Sequence, residues 1–340
     1  MTEKKYGVVG IGNSIVDILC YKSHDFLKTH HLRLGRMKLV SEDEVSTLYR
    51  SISSSTECSG GSVANSMVGF ASLGGKSAFI GKVGNDYFGK LFADDLVKND
   101  VFFHSLPATN KATARSIIII TRTNEDDESS KIERSMATYL GVSSEFAEED
   151  IDAKTIADSK VLLIEGYLLD SEKARNAIKK AIKIAEENKV EIAITLSDPE
   201  CVLRHRDDFL KIIKDHAKIF IGNIHEVEAL LQTNDRDEII KKLADLCSIS
   251  VMTMSEEGSY IINNKKIYMI DVKHCDEVYD VTGAGDLYAA GFLYGYTQGY
   301  NFSICGNIAS YAASETLRYI GARPLKSLKD LPAQVLKDLG

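Results

Sequence analysis

An alternation of short apolar runs with longer amphipathic ones predicts an α/β fold, a mostly parallel sheet with helices on both faces. Two stretches, residues 18–55 and 108–139, break that rhythm and read as excursions that pair into a small β-sheet apart from the main one, with two ordinary surface insertions as the alternative. Composition fits one core with an appendage: 340 residues, 44% hydrophobic and 26% charged, near ordinary globular values.

In chain order, the first apolar run, residues 6–11, reads as a buried strand. Further strands are expected at 77–82, 116–122, 160–165, 191–196, 218–222, 250–254 and 259–263. Helices are expected at 62–73, 88–99, 171–188, 206–216, 224–232, 236–247, 283–296 and 302–319, where apolar residues recur at helical spacing. From residue 160 onward the order is β-α-β-α-β-α-α-β. Right-handed crossovers then bring loop residues together at the carboxyl ends of the strands. Residues 108–139 read as two strands around a polar tip at 124–131, whose acidic part, 125–128, is expected to be a solvated loop.

Basic residues number 41 and acidic 49, a net charge of −8, which argues against a nucleic-acid-coating protein. Nothing approaches the roughly 18–20 apolar residues that span a bilayer. No secretory leader is expected, because the chain runs from Met-Thr-Glu-Lys-Lys straight into the first strand. The six scattered cysteines form no C-x-x-C pair and read as reduced thiols. A cytoplasmic protein, monomer or homodimer, without membrane or nucleic-acid partners is expected.

Several motif fragments fail on inspection. Gly84–Leu91 nearly matches a P-loop, but Leu91 cannot offer magnesium a hydroxyl. Gly10-Ile-Gly12 lacks the third glycine of a dinucleotide fingerprint, since that position is Ile15. His225-Glu226 begins like H-E-x-x-H, but position 229 is Ala. His30-His31 reads as a surface pair.

The segment Asp280-Val281-Thr282-Gly283-Ala284-Gly285-Asp286 at the start of a helix carries the most chemistry. Two glycines and an alanine leave backbone N–H groups uncovered, and the helix dipole adds positive potential, so an anion can bind. A carboxylate in the same turn would repel that anion. It makes sense if Asp286 takes a proton from a hydroxyl while the amides hold the phosphoryl group that the hydroxyl attacks. On local physics alone, a capped helix start packed through its glycines serves equally well.

Residues 280–286 resemble the C-terminal signature, D-T-x-G-A-G-D, of the ribokinase-like (PfkB) carbohydrate kinase family, with Val281 at the second position. Gly60-Gly61-Ser62-x-x-Asn65, followed by Gly74, Gly81, Gly84, Asp86 and Gly89, resembles that family's N-terminal signature. The resemblance implies a ribokinase-like three-layer α/β/α fold with a small β-sheet lid. Residues 1–17, 56–107 and 140–340 would form the large nucleotide-binding domain, and 18–55 and 108–139 the lid over the acceptor site. It implies ATP and Mg²⁺ as cofactors, leaves a monovalent cation open, and makes Asp286 the base with Gly283, Ala284 and Gly285 around the phosphoryl group.

Carried over position by position, Asn13 and Asp17 fall where the family binds sugar hydroxyls, and a carboxylate suits a vicinal diol. Gly60 and Gly61 match the lid hinge, Ser62 follows them on the acceptor side, and Asn65 matches a substrate amide contact. Asn223-Ile-His-Glu226 matches N-x-x-E, whose Glu orients magnesium through water and whose Asn lies near the ATP phosphates. Thr253-x-Ser255-x-x-Gly258 resembles T-x-G-x-x-G of the ATP loop, with Ser for the first glycine, so the backbone there should avoid glycine-only conformations. Ser310 falls where relatives often carry Asn near the adenine; a helix-packing Ser is the other reading.

Several segments are similar to adenosine kinases: Gly12-Asn13-x-x-x-Asp17, Glu133-Arg134-Ser135, Thr195-Leu-Ser197-x-Pro199 and Phe220-x-Gly222-Asn223. Arg134 would neutralise the transferred phosphoryl group. Glu200, after Pro199, departs from the aromatic residue common there, leaving Tyr167 or Leu168 to face a purine. The expected acceptor is adenosine or another nucleoside, with a free sugar as the alternative. A ligand-binding protein on an inactive kinase fold is the reading from another class.

Overall fold

The computed structural model describes residues 3–124 and 132–339, so the acidic tip at 125–128 lies outside the described residues. Among the described residues, fourteen strands are formed. They are β1 (Tyr6–Ile11), β2 (Ile15–Tyr21), β3 (Met37–Leu39), β4 (Thr56–Gly60), β5 (Ser77–Ile80), β6 (Val101–His104) and β7 (Ala114–Arg122). Then follow β8 (Ile132–Tyr139), β9 (Ser159–Ile164), β10 (Glu191–Thr195), β11 (Ile219–Asn223), β12 (Ile249–Thr253), β13 (Ser259–Asn263) and β14 (Lys266–Ile270).

Nine strands make the main sheet, in the order β14-β13-β12-β11-β10-β9-β1-β5-β6. Every pair from β12 to β6 is parallel, and only the β12-β13-β14 edge is antiparallel. The central strands are buried on both faces, as parallel strands under crossover helices must be. Val8 of β1 joins the core on one face, while Val9 and Ile11 join the other; Val161 and Leu163 of β9 oppose Leu162 and Ile164 in the same way.

Five strands make the second sheet, β3-β8-β7-β2-β4. The two segments that broke the sequence rhythm supply it, but its bounds differ from the expected ones. Strand β2 already begins at Ile15, and β4 at Thr56–Gly60 lies past the expected end of the first excursion. Much of that excursion is helical. Helix Glu42–Arg50 starts with a reciprocal Ser41–Glu44 capping box, which anchors a short helix that buries Val45 and Leu48 on one face.

Strands β6 and β14 carried no clear sequence signal. Strand β14 returns from β13 through a two-residue turn, Asn264-Lys265, with φ of 46° and 68°. Positive φ at both residues marks a hairpin turn normally announced by glycine. The P-loop look-alike is resolved as well. Asp86 caps helix Tyr87–Lys98: one oxygen accepts from Gly89 N–H at 2.8 Å and the Thr113 hydroxyl at 2.7 Å, and the other accepts from Thr113 N–H at 2.8 Å. A carboxylate on the first amides repels any phosphate and ties that helix to the start of the second sheet.

Candidate active site

The site gathers where the parallel strands end. Gly12 and Asn13 follow β1, Glu165 follows β9, and Asn223 with Glu226 closes β11, beside the start of helix Ala284–Thr297. Strand β2 of the second sheet adds Asp17, paired across from Cys58 of β4.

Helix Ala284–Thr297 begins without a side-chain cap. Gly283 takes φ +78°, and a Cβ there would stand 2.5 Å from Ala322 O; Gly285 faces open space, with nothing within 4 Å of an added Cβ. Ala284 N–H donates to Val281 O at 3.2 Å, and the turn is a cradle in which the amides of Gly283, Gly285 and Asp286 stay available to an anion. Asp286, the third helical residue, could fold back to close its own helix, but both oxygens are held elsewhere. Ser62 donates its hydroxyl at 2.7 Å and Asn65 its amide at 3.0 Å. Burial raises the Asp286 pKa to about 6, against the pull of those two hydrogen bonds and of Arg323.

Arg134 on β8 reaches this turn. It ion-pairs with Asp280 and donates to the Thr282 hydroxyl. Asp280 also accepts from Thr282 N–H at 2.9 Å and Gly321 N–H at 2.8 Å. The second sheet is thus brought onto the anion turn by a buried charge pair.

Asp17 is pushed up to about 7, chiefly by burial and also by Asp286, with Arg323 and Arg134 opposing. It lies so close over β4 that a Cβ on Gly60 would fall 2.2 Å from its Oδ2. Gly61 has φ +95°, with Asn13 O only 2.3 Å from an added Cβ. Of the expected glycine pair, Gly61 thus carries the unusual backbone and Gly60 the close approach.

Asn13 is largely committed. Its amide donates to Glu165 at 2.8 Å, and its carbonyl accepts from the Ser143 hydroxyl at 2.8 Å, leaving one N–H and one lone pair. Glu226 and Asn223 form a reciprocal capping box at 2.7–3.0 Å. Burial leads in raising Glu226 to about 7, with Asp198 and Asp286 adding. Among the described residues no group of three or more His, Cys, Asp or Glu side chains could hold a metal ion.

Three expectations need correction. Ser310 offers no free donor to an adenine: its hydroxyl donates to Asp271 O at 3.0 Å and accepts from Lys273 N–H at 2.8 Å, pinning that loop to helix Phe302–Thr316. Ser255 does enter the left-handed region, at φ +51°, and Gly258 has φ +85°. The loop keeps its glycine-favoured shape, at a local cost of about 1–2 kcal/mol for a side chain. Leu168 is buried and cannot face a ligand, whereas Tyr167 is half-buried, its hydroxyl pKa raised by burial and by nearby Asp198. Glu200 is exposed on the first turn of helix Pro199–Arg204. Thr253 ends β12 in register with Asn223.

Sequence reasoning missed Glu165 and Arg323. Glu165 is 1% exposed. It accepts from Asn13 and from Val63 N–H at 3.2 Å, and burial raises it to about 7. Its signal was a lone carboxylate closing an apolar strand. Arg323, in the C-terminal coil, donates to Asn65 Oδ1 at 2.9 Å and carried no signal.

The sequence pattern of the pfkB family carbohydrate kinases matches residues 42–328. The chain belongs to that family. This pfkB-family kinase superposes on an adenosine kinase from Sinorhizobium meliloti with a TM-score of 0.87 and 40% identity, covering 97% of this chain and 99% of the other. A probable sugar kinase from Rhizobium etli gives 0.88 and 38%, covering 97% and 98%. A 5-dehydro-2-deoxygluconokinase from Bacillus licheniformis is 26% identical over 264 residues, 75% of this chain and 79% of that protein. The pfkB-family kinase is accordingly a phosphotransferase with an alcohol group as acceptor, a sugar or nucleoside kinase of ribokinase-like fold. Among its described residues, no helix is long and apolar enough to cross a membrane.

Proposed function

We propose that this kinase transfers the γ-phosphoryl group of ATP to a primary hydroxyl of a ribose-containing acceptor, adenosine or another nucleoside. One observation carries the reading: Asp286 sits inside an uncapped, glycine-lined helix start with both oxygens aimed away from its own amides by Ser62 and Asn65. A base and an anion cradle share one turn, which is what attack of a hydroxyl on a phosphoryl group needs.

Asp17 accepts two hydroxyls of the sugar, and the free N–H of Asn13 supports a third contact. The primary hydroxyl then lies against Asp286. Its oxygen bonds to the γ-phosphorus as the bond to ADP breaks, and its proton passes to Asp286. Amides of Gly283, Gly285 and Asp286 face the charge on the phosphoryl oxygens. Arg134 adds a cation once exchanged from Asp280. The second sheet acts as a lid hinged at Gly60 and Gly61 and excludes water.

Thr253, Ser255 and Gly258 lie on the ATP side with Asn223. A buried carboxylate beside the anion turn fits Mg²⁺, which keeps several waters and binds mainly phosphate oxygens. Glu226 would hold it through water, and the ion would neutralise phosphate charge.

The nucleoside reading is supported by the S. meliloti adenosine kinase and by Tyr167 at the acceptor side. A free-sugar acceptor is favoured by the exposed Glu200 and the B. licheniformis relative. ADP release measured over adenosine, inosine, ribose and fructose decides between them. Asp286→Asn should bind ATP normally and lose about 10²–10⁴-fold in kcat. The wild-type kcat should rise with pH through about 6, where Asp286 ionises. Near-normal turnover by Asp286→Asn rejects the base assignment.

A further inference from the structure

Arg323 lies outside every motif used so far, yet three elements meet on it. Its Nε donates to Asn65 Oδ1 at 2.9 Å. Its Nη1 donates to the Ser59 hydroxyl at 2.6 Å and to Asp95 Oδ2 at 2.9 Å. Ser59 is locked in turn, since its N–H and hydroxyl both donate to that same Asp95 oxygen, at 2.9 and 2.6 Å. The preceding residues lie along the anion turn: Gly321 N–H binds Asp280, and Ala322 packs against Gly283.

A guanidinium can only donate and an ionised carboxylate can only accept. Asn65 stands between one of each. Its carboxamide therefore has a single seating, with oxygen to Arg323 and nitrogen to Asp286 Oδ2. We infer that Arg323 is a positioning residue for Asp286, acting through Asn65, and that the same guanidinium ties the base to Ser59, the residue before the Gly60-Gly61 pair. The inference rests on Asp286 being the base.

Removing Arg323 leaves Asn65 Oδ1 without its charged donor, so the carboxamide is anchored only through Asp286 and can swing, taking its N–H off line with the carboxylate. The surroundings make this worse. Asp286 couples electrostatically to Asp17 on β2, Glu165 after β9 and Glu226 in helix Ile224–Leu231, while Arg323 is the cation acting on Asp286 and, ahead of Arg134, on Asp17. Loss of the Arg323 charge raises the Asp286 titration directly, so the relay is read from the coupling between Arg323 and Asn65: independent effects multiply, whereas a relay through Asn65 does not.

The test compares Arg323→Met, Arg323→Lys, Asn65→Ala and the double variant Asn65→Ala/Arg323→Met. Readouts are kcat, the KM for ATP, and the carboxyl titration of Asp286 by carbon-13 NMR, assigned with Asp286→Asn. Arg323→Met should lower kcat about 10- to 100-fold, the scale of a misplaced reacting group, with the KM for ATP within about threefold. Its Asp286 titration should move to higher pH, and Arg323→Lys should restore the titration but only part of kcat. In the Asn65→Ala background, Arg323→Met should cost less than about threefold more, as non-additive partners do. An unmoved titration, or full multiplication of the two single effects, overturns the relay. If Arg323→Met does not fold, Arg323→Lys decides, and wild-type kcat in that variant overturns the inference. Turnover by Asp286→Asn tests the base assignment separately, because the NMR titration reads Arg323 whatever Asp286 does.

Discussion

A methyl group added at Gly285 enters open space, with no atom within 4 Å beyond its own turn. The position is the second residue of helix Ala284–Thr297. Alanine there removes the backbone entropy cost of a helical glycine, roughly 0.5–1 kcal/mol in favour of the fold. In a chain of this size that is a rise of about 1–3 °C in Tm. On the proposed function, the same methyl stands where the phosphoryl group would approach the amides. Losing one donor of such a cradle costs about 10²–10³ in kcat, or about 2.7–4 kcal/mol. Stability and turnover should therefore move in opposite directions. Gly283→Ala provides the contrast, because its Cβ would strike Ala322 and the fold itself should suffer. A thermal shift assay paired with coupled ADP release reads both quantities. Turnover within about threefold of wild type, in a Gly285→Ala protein that melts no lower, would refute the assignment of this turn to the phosphoryl group.

Asp17→Ala should raise the KM for the acceptor and leave that for ATP unchanged. Two hydrogen bonds to a charged acceptor set a ceiling of roughly 3–6 kcal/mol. A 2′-deoxynucleoside should be a poor substrate, and equal use of adenosine and 2′-deoxyadenosine would remove Asp17 from the diol. Gly61→Val combines φ +95° with a Cβ 2.3 Å from Asn13 O, so kcat and acceptor KM should worsen together at a strain of about 1–3 kcal/mol. Unaltered acceptor kinetics in that variant would exclude a hinge at this position.

What the sequence disclosed follows physical locality. Strand β13 fell on its expected residues, 259–263, and the main-sheet helices fell within a few residues of theirs, because burial against a sheet writes its period into the chain. Strand β14 escaped because its turn uses Asn264-Lys265 instead of glycine. The second sheet was foreseen as a unit but not in its limits, since β2 and β4 pair across thirty-odd residues of intervening chain. In the site, Asp286 and the glycines around it were legible because their chemistry is contiguous. The Arg134–Asp280 pair, the Glu165–Asn13 contact and the Arg323–Asn65 contact join residues far apart, and only folding makes them neighbours. The commitments of Ser310 likewise depend on a loop laid across its helix.

Two glycine-rich helix starts in this chain obey different logic. At Tyr87–Lys98 the carboxylate stands at the cap, satisfies the first amide within reach, and converts the turn into a permanent fastening. At Ala284–Thr297 the carboxylate stands three residues later and is drawn aside, so the turn is left chemically hungry. A proper cap is worth about 0.5–2 kcal/mol. The second helix forgoes that stabilisation in every molecule, whether or not a nucleotide is near. Its reactivity is thus a standing deficit in the fold, held open by Ser62 and Asn65 from another helix, and one carboxylate's position within a turn separates a rivet from a receptor.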